Sequence, residues 1–239
     1  MAQIINCAHR GASKQAPENT LAALRLAVKL GATMAEIDLQ QTADNEMVLF
    51  HDDNLNRTSN GSGPLWEKSL TQLKTLDAGA WFSDDFQAEP IPTLEMVIAA
   101  LAGKLKWNLE LKLHGHERNL EHLVVQKIKS LNCGPGCLIT SFDHPTIDRL
   151  LDIAPHLKVG YIVGKGGWHD SLLDAKVSVL SLEKTLITPE LVRRAHAVGK
   201  EIHAWTVDQE KEMQRLQAAK VDVLISNHPD RVFTFLNKS

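Results

Sequence analysis

The alternation of short apolar strands with amphipathic helical segments constrains the fold of this chain more than any other feature. Strands that alternate with helices along a chain predict a parallel sheet with helices packed against it. Nine strand segments are predicted, at residues 4–8, 34–39, 47–50, 107–113, 137–141, 158–163, 177–182, 201–206 and 221–226. The helical patterns lie at residues 21–30, 120–131, 146–153, 189–198 and 209–219.

One of the nine strands does not fit a parallel arrangement. Residues 40–46 are too few for a parallel crossover, which needs about a dozen residues, so the strand at 47–50 is predicted to return antiparallel and to place His51 near Asp38. Eight parallel strands remain, and the length of 239 residues is close to the roughly 250 that are usual for a closed barrel. We therefore predict an α/β fold, a (β/α)8 TIM barrel formed by residues 1–239 as a single domain. A small insertion, at about residues 52–92, follows the His51 strand and carries a short helical pattern at residues 69–76.

Composition and charge exclude several functional classes. A net charge of -3 without any basic run argues against a nucleic-acid partner. No uninterrupted apolar window approaches the roughly 18 residues of a membrane span, and no secretory signal pattern is found near the first residues. Three cysteines fit a reducing compartment, so we expect a cytoplasmic protein. A small-molecule substrate is also expected, and a homodimer is left open.

Charged residues on two of the strands indicate a functional site. Strand side chains alternate between two faces, so Glu36 and Asp38 share one face, and Glu110 and Lys112 share another. Burying three carboxylates close together is costly unless protons or a cation compensate their charge. Three oxygen ligands without cysteine fit Mg2+ or Ca2+, and salt bridges to Lys112 and Arg10 are the structural alternative.

Two histidines stand at comparable positions, His9 after the first strand and His51 after the returning strand. A histidine pair can supply a base and an acid near neutral pH. Beside carboxylates and an arginine, such a pair suits in-line displacement at phosphorus. The sequence has no glycine-rich phosphate loop that would indicate a nucleotide cofactor.

The residues in this order closely resemble the glycerophosphodiester phosphodiesterases, which are relatives of the phosphatidylinositol-specific phospholipases C. The resemblance runs essentially from end to end of the chain. The motifs that carry it are His9-Arg10-Gly11, Pro17-Glu18-Asn19-Thr20, Glu36-Ile37-Asp38, His51-Asp52, Leu55-x-Arg57-Thr58, Leu76-Asp77-Ala78-Gly79-x-Trp81-Phe82, Ile91-Pro92-Thr93-Leu94, Glu110-Leu111-Lys112 and Trp205-Thr206-Val207.

The resemblance implies hydrolysis of glycerophosphodiesters to glycerol 3-phosphate and an alcohol on a (β/α)8 barrel. By this likeness His9 and His51 form the acid/base pair, and Arg10 and Lys112 contact the phosphate. The three carboxylates would hold Mg2+ or Ca2+, and Trp205 would line the pocket against the glycerol. A cyclic phosphate formed by the substrate's own hydroxyl and direct attack by water are both compatible with the sequence.

Three alternatives and one departure from the family pattern accompany this interpretation. The same barrel could hydrolyse lysophospholipids, in the manner of a lysophospholipase D, or could bind glycerophosphate without catalysis. An aldolase-like Schiff base at Lys112 is disfavoured by the neighbouring Glu110. Near the C-terminus many family members have Thr-Asp before x-Pro-Asp, whereas this chain has Ser226-Asn227, and Asn227 lacks the negative charge of aspartate.

Overall fold

The computed structural model describes residues 4–238. Nine strands form one sheet, and each lies within two residues of its predicted position. The strands are β1 (Ile5–His9), β2 (Met34–Gln41), β3 (Met47–Leu49), β4 (Lys106–Leu111), β5 (Cys137–Ser141), β6 (Lys158–Val163), β7 (Val179–Glu183), β8 (Glu201–Trp205) and β9 (Val223–Ser226).

The sheet closes on itself through eight parallel strands. Its order is β1-β9-β8-β7-β6-β5-β4-β2, and β2 pairs with β1 to complete the circle. The remaining strand, β3, pairs antiparallel with the outer part of β2, with Leu39 opposite Leu49. The predicted return strand and the predicted (β/α)8 barrel are therefore both confirmed.

α-Helices connect the parallel strands, except that β6 and β7 are joined through a 3-10 helix at Asp170–Asp174. Five were predicted, and each is found within about two residues of its predicted bounds; the predicted pattern at 69–76 forms a helix of a single turn. The helices are α1 (Leu21–Lys29), α2 (Leu70–Leu73), α3 (Leu94–Ala100), α4 (Leu120–Ser130), α5 (His144–Ile153), α6 (Pro189–Ala197), α7 (Glu210–Ala219) and α8 (Pro229–Leu236). Side-chain oxygens of Thr20, Thr93, Asp143 and Thr188 accept hydrogen bonds from first-turn backbone amides and fix the start of four of them.

Apolar side chains fill one layer of the barrel interior, and polar side chains occupy the next layer, toward the carboxyl ends of the strands. Alternate residues of each strand point inward. Within the barrel a small apolar cluster contains Cys7, Met34, Leu138, Val179 and Val223. Two residues further along β1 and β2, on the same face, come His9 and Glu36. Polar side chains thus collect at the carboxyl ends of the strands, the end where barrel enzymes hold their active sites.

The segment between β3 and α3 packs around its own apolar residues at this end of the barrel. Leu55, Leu65, Leu73, Ala78 and Ile91 are buried together there with the end of β3. It contains α2 and two short 3-10 turns, Leu65–Glu67 and Asp84–Phe86. Among residues 4–238, no helix is both long enough and apolar enough to cross a lipid bilayer.

Candidate active site

Strand pairing brings three buried carboxylates together. Asp38 on β2 lies opposite Glu110 on β4, and Glu36 on β2 lies opposite His9 on β1. All three acidic side chains are buried. One oxygen from each carboxylate lies within 4.8 Å of one oxygen from each of the others. The geometry is that of a compact acidic cluster at the rim of the barrel.

Two cations contact the cluster but do not neutralise it. Arg10 Nε lies 3.1 Å from Asp38 Oδ2, and Lys112 Nζ lies 2.8 Å from Glu110 Oε1. Arg10 also contacts Glu18, so its charge is shared. With all three carboxylates ionised, these two cations would leave at least one negative charge to be met by a proton or a further cation. The salt bridges considered for the sequence are present, yet they are insufficient by themselves.

The electrostatic cost of the cluster appears in the pKa values of its members. Burial, followed by the charges of Asp38 and Glu110, raises the pKa of Glu36 well above that of an ordinary glutamate. Burial and then the charge of Asp38 raise the pKa of Glu110 to about 7. Burial also opposes ionisation of Asp38, but Arg10 and Lys112 outweigh it and hold the pKa of Asp38 below its ordinary value.

Two oxygens of the cluster fit a bound cation. Glu36 Oε1 and Asp38 Oδ1 are buried and have no hydrogen-bond partner among residues 4–238. A buried carboxylate oxygen without a partner is costly, and a hard divalent ion that takes oxygen ligands would remove that cost. The residues present therefore suit a divalent cation held by Glu36, Asp38 and Glu110.

His9 ends β1 beside this cluster. Its Nε2 atom lies 3.8 Å from Glu36 Oε2, and its Nδ1 atom lies 2.7 Å from Asn227 Oδ1. Burial, and next the positive charge of Arg10, lowers the pKa of His9 to about 4. The imidazole is accordingly neutral at neutral pH and able to accept a proton.

His51 lies at the start of a charged chain of contacts. Its Nδ1 atom lies 2.6 Å from Asp52 Oδ1, and Asp52 is held by both Nε and Nη2 of Arg57, at 2.6 and 2.8 Å. Arg57 also donates two hydrogen bonds to Glu18, which in turn accepts one from Arg10. Charge-assisted pairs of this kind are directional, so they fix the orientation of the His51 ring.

The loop after β1 takes a shape that few residues tolerate. Arg10 has a φ of 56° and Gly11 a φ of 84°, both in the left-handed region. A Cβ on Gly11 would lie 2.7 Å from the backbone of Ala23, so only glycine fits there. This turn directs the Arg10 guanidinium back over β2 and onto Asp38.

A cavity of about 160 Å³ opens above the cluster. Seven of the eight site residues predicted from the sequence line this cavity: His9, Arg10, Glu36, His51, Glu110, Lys112 and Trp205. The eighth, Asp38, is fully buried and lies behind them. Trp205 forms part of the wall and donates a hydrogen bond from Nε1 to Ser181 O. Phe142 packs edge-on against Trp205 at 5.7 Å and was not anticipated from the sequence.

Sequence reasoning gave no role to several residues that complete the site. Glu18, Asp52 and Arg57 form part of motifs that carry the resemblance, so a signal for them was present. Asp208 was missed altogether; its only local signal is its position just beyond the carboxyl end of β8.

The fold is a (β/α)8 barrel, and the cavity at the carboxyl ends of its strands is its candidate active site. Residues 9–231 match the glycerophosphoryl diester phosphodiesterase family. The chain belongs to this family and is accordingly an enzyme of the phosphoric diester hydrolase class.

Individual relatives agree over nearly the whole chain. A glycerophosphodiester phosphodiesterase from Caldanaerobacter subterraneus is 36% identical, with 97% of each chain covered. The structure of an Oleispira antarctica phosphodiesterase in complex with the product sn-glycerol-3-phosphate superposes with a TM-score of 0.88 at 31% identity, covering 100% of this chain and 98% of that one. The glycerophosphodiester phosphodiesterase of Agrobacterium tumefaciens gives a TM-score of 0.84 at 28% identity, covering 96% and 98% of the two chains.

Proposed function

We propose that this enzyme hydrolyses glycerophosphodiesters to glycerol 3-phosphate and an alcohol, with His9 and His51 as its acid/base pair and a divalent cation, Mg2+ or Ca2+, at Glu36, Asp38 and Glu110. The observation that carries the proposal is the meeting of two histidines with buried, partnerless carboxylate oxygens at one cavity. The product named for the Oleispira relative, sn-glycerol-3-phosphate, supports the choice of substrate class.

The cationic side chains of the cavity would bind the phosphate. Arg10 and Lys112 border the cavity while they hold the carboxylates beneath it. Their nitrogen donors favour the anionic diester and stabilise charge that grows on the nonbridging oxygens during displacement. A bound cation would supply further neutralisation of those oxygens.

The two histidines would move protons on opposite sides of the phosphorus. His9 is neutral, so it suits the removal of a proton from the attacking group, whether water or the substrate's own hydroxyl. His51 is held by the contact of its Nδ1 atom with Asp52, which orients the ring for proton donation to the leaving alkoxide. Trp205 lines the wall of the cavity, where its ring would pack against the glycerol carbons.

The segment at residues 52–92 would form a small cap over this site within a single-domain chain. Its first residue, Asp52, contacts His51, and its Arg57 contacts Glu18 of the β1–α1 loop. The cap thereby links the two loops that carry the proposed acid/base pair.

Replacing either histidine tests the proposal. His9→Ala and His51→Ala should each lower turnover of glycerophosphocholine and glycerophosphoethanolamine by about 10²–10⁴-fold, the usual contribution of a positioned acid or base. The control is His122→Ala, on the exposed face of α4, which should leave turnover unchanged. Near wild-type turnover in a folded His9 or His51 variant would contradict the assignment. If the wild-type enzyme turned over a lysophospholipid faster than the glycerophosphodiesters, the substrate class would be lysophospholipids instead.

A further inference from the structure

Asn227 accepts two hydrogen bonds on a single oxygen beside His9. It directly follows β9, which neighbours β1 in the barrel. Its Oδ1 atom lies 2.7 Å from His9 Nδ1 and accepts a hydrogen bond of 2.9 Å from Ser13 Oγ. A carbonyl oxygen only accepts hydrogen bonds, so this contact requires the proton of the imidazole to be on Nδ1.

Asp208 determines which way the Asn227 amide points. Asp208 Oδ2 accepts a hydrogen bond of 2.8 Å from Asn227 Nδ2, and Asp208 Oδ1 accepts one of 2.9 Å from the Asn227 backbone amide. Ser226 Oγ donates a third, also 2.9 Å long. Burial opposes ionisation of Asp208, but these hydrogen bonds outweigh it and hold its pKa below the ordinary value. An ionised carboxylate only accepts, so the amide nitrogen must face Asp208 and the amide oxygen must face His9.

We propose that Asp208 and Asn227 are positioning residues that hold the His9 proton on Nδ1, leaving Nε2 free to accept a proton. The proposal rests on the function proposed above, in which His9 moves a proton. His9 Nε2 lies 3.8 Å from Glu36 Oε2, which exceeds hydrogen-bond length, so this contact does not hold a proton on Nε2.

The same contacts explain why asparagine fits position 227 of this chain better than aspartate would. Position 227 lies within hydrogen-bond distance of Asp208, so aspartate at both positions would bring two carboxylates together, at a high electrostatic cost. An exchanged pair, with asparagine at 208 and aspartate at 227, keeps one charge and one amide. The Oδ1 atom of the asparagine at 208 would still accept hydrogen bonds from Ser226 Oγ and from the backbone amide of residue 227. The Nδ2 atom of that asparagine would donate a hydrogen bond to the aspartate at 227, beside His9.

The exchange gives a matched set of variants. Asp208→Asn alone places two amide nitrogens opposite each other, so the Asn227 amide turns and presents Nδ2 to His9, which then favours the Nε2–H tautomer. We expect kcat to fall by about 10- to 100-fold, by analogy with the range found when the outer partner of a metal-bound histidine is removed, with KM changed much less. Adding Asn227→Asp to this variant should restore kcat to within about threefold of wild type, because the acceptor beside Nδ1 returns.

Nitrogen-15 NMR of the His9 ring tests the tautomer without any need for turnover. At neutral pH, the wild type and the double variant should show Nδ1–H, and Asp208→Asn should show Nε2–H or a mixture; the His9→Ala spectrum identifies the signals. Asp222→Asn is the control, since Asp222 contacts a different histidine, His196, at 2.9 Å and should leave the His9 signals unchanged.

The outcomes separate this proposal from the proposed function. Wild-type His9 in the Nε2–H form, or a double variant no more active than Asp208→Asn, would overturn the positioning role. Full activity of His9→Ala would instead overturn the proposed function, while an Nδ1–H signal in wild type would still confirm the tautomer.

Discussion

Replacing Glu110 with glutamine should change the stability of the metal-free protein in a pH-dependent way. The side chain is buried in the acidic cluster, close to Asp38 and in contact with the Lys112 ammonium. Glutamine has the same shape as a protonated glutamate but cannot ionise. It therefore removes the cost of an ionised Glu110 while leaving the packing of the site nearly unchanged.

The magnitude follows from the displaced pKa of Glu110. Its folded-state pKa of about 7 is higher than the ordinary value of 4.5, so the folded protein holds a proton that the unfolded chain has already released. The free energy of unfolding consequently falls as pH rises from about 4.5 through about 7. Each pKa unit corresponds to about 1.4 kcal/mol, so between about pH 5 and about pH 8 the wild type should lose about 2 kcal/mol that the glutamine variant keeps.

Urea unfolding with a chelator present measures this difference. We subtract the free energy of unfolding of wild type from that of Glu110→Gln. This difference should be about 2 kcal/mol larger at about pH 8 than at about pH 5, because the variant is relatively more stable at the higher pH. A constant cost from the lost Lys112 contact cancels in this comparison. Glu67→Gln, at an exposed position, is the control and should show no such pH dependence. An equal effect of Glu110→Gln at both pH values would refute the electrostatic reasoning.

Two further substitutions test the supporting contacts. Arg57→Lys keeps the charge but loses the two-pronged contact with Asp52, so kcat should fall about tenfold through the histidine that Asp52 orients; steady-state kinetics with wild-type values would contradict this. Gly79→Ala would place a Cβ 1.9 Å from Phe86 O, so the free energy of unfolding should fall by about 1–3 kcal/mol. Gly136→Ala, where a Cβ would meet open space, is the matched control in thermal unfolding, and equal losses in both variants would exclude the close contact as the cause.

The barrel could be predicted from the sequence because its strands and most helices carry strong local patterns. The short connection between β2 and β3 identified the antiparallel strand through a simple limit on crossover length. Two helices, α3 and α8, were not predicted. The segment of α3 is apolar almost throughout, and the Phe-Thr-Phe of α8 alternates in the manner of a strand, so neither shows a clear helical period.

The candidate site was predictable where its residues lie on strands and not where it depends on loops. Glu36, Asp38 and Glu110 follow from two-residue periodicity and parallel pairing. The contact of Asp208 with Asn227 joins loops after β8 and β9, and it arises only because the barrel places these strands side by side. The turn of the Asn227 amide is set by that contact, so the sequence around either residue does not predict it.

The proposed function depends on a divalent cation that holds the buried carboxylates together. Anomalous diffraction from crystals grown with Mn2+, a substitute for Mg2+ with a usable signal, tests it most directly. We predict a single strong peak bound by one or more oxygens each of Glu36, Asp38 and Glu110, and its loss in Asp38→Asn crystals grown in the same way. Carboxylates contacted only by Arg10 and Lys112, with no peak among them at saturating Mn2+, would contradict the account.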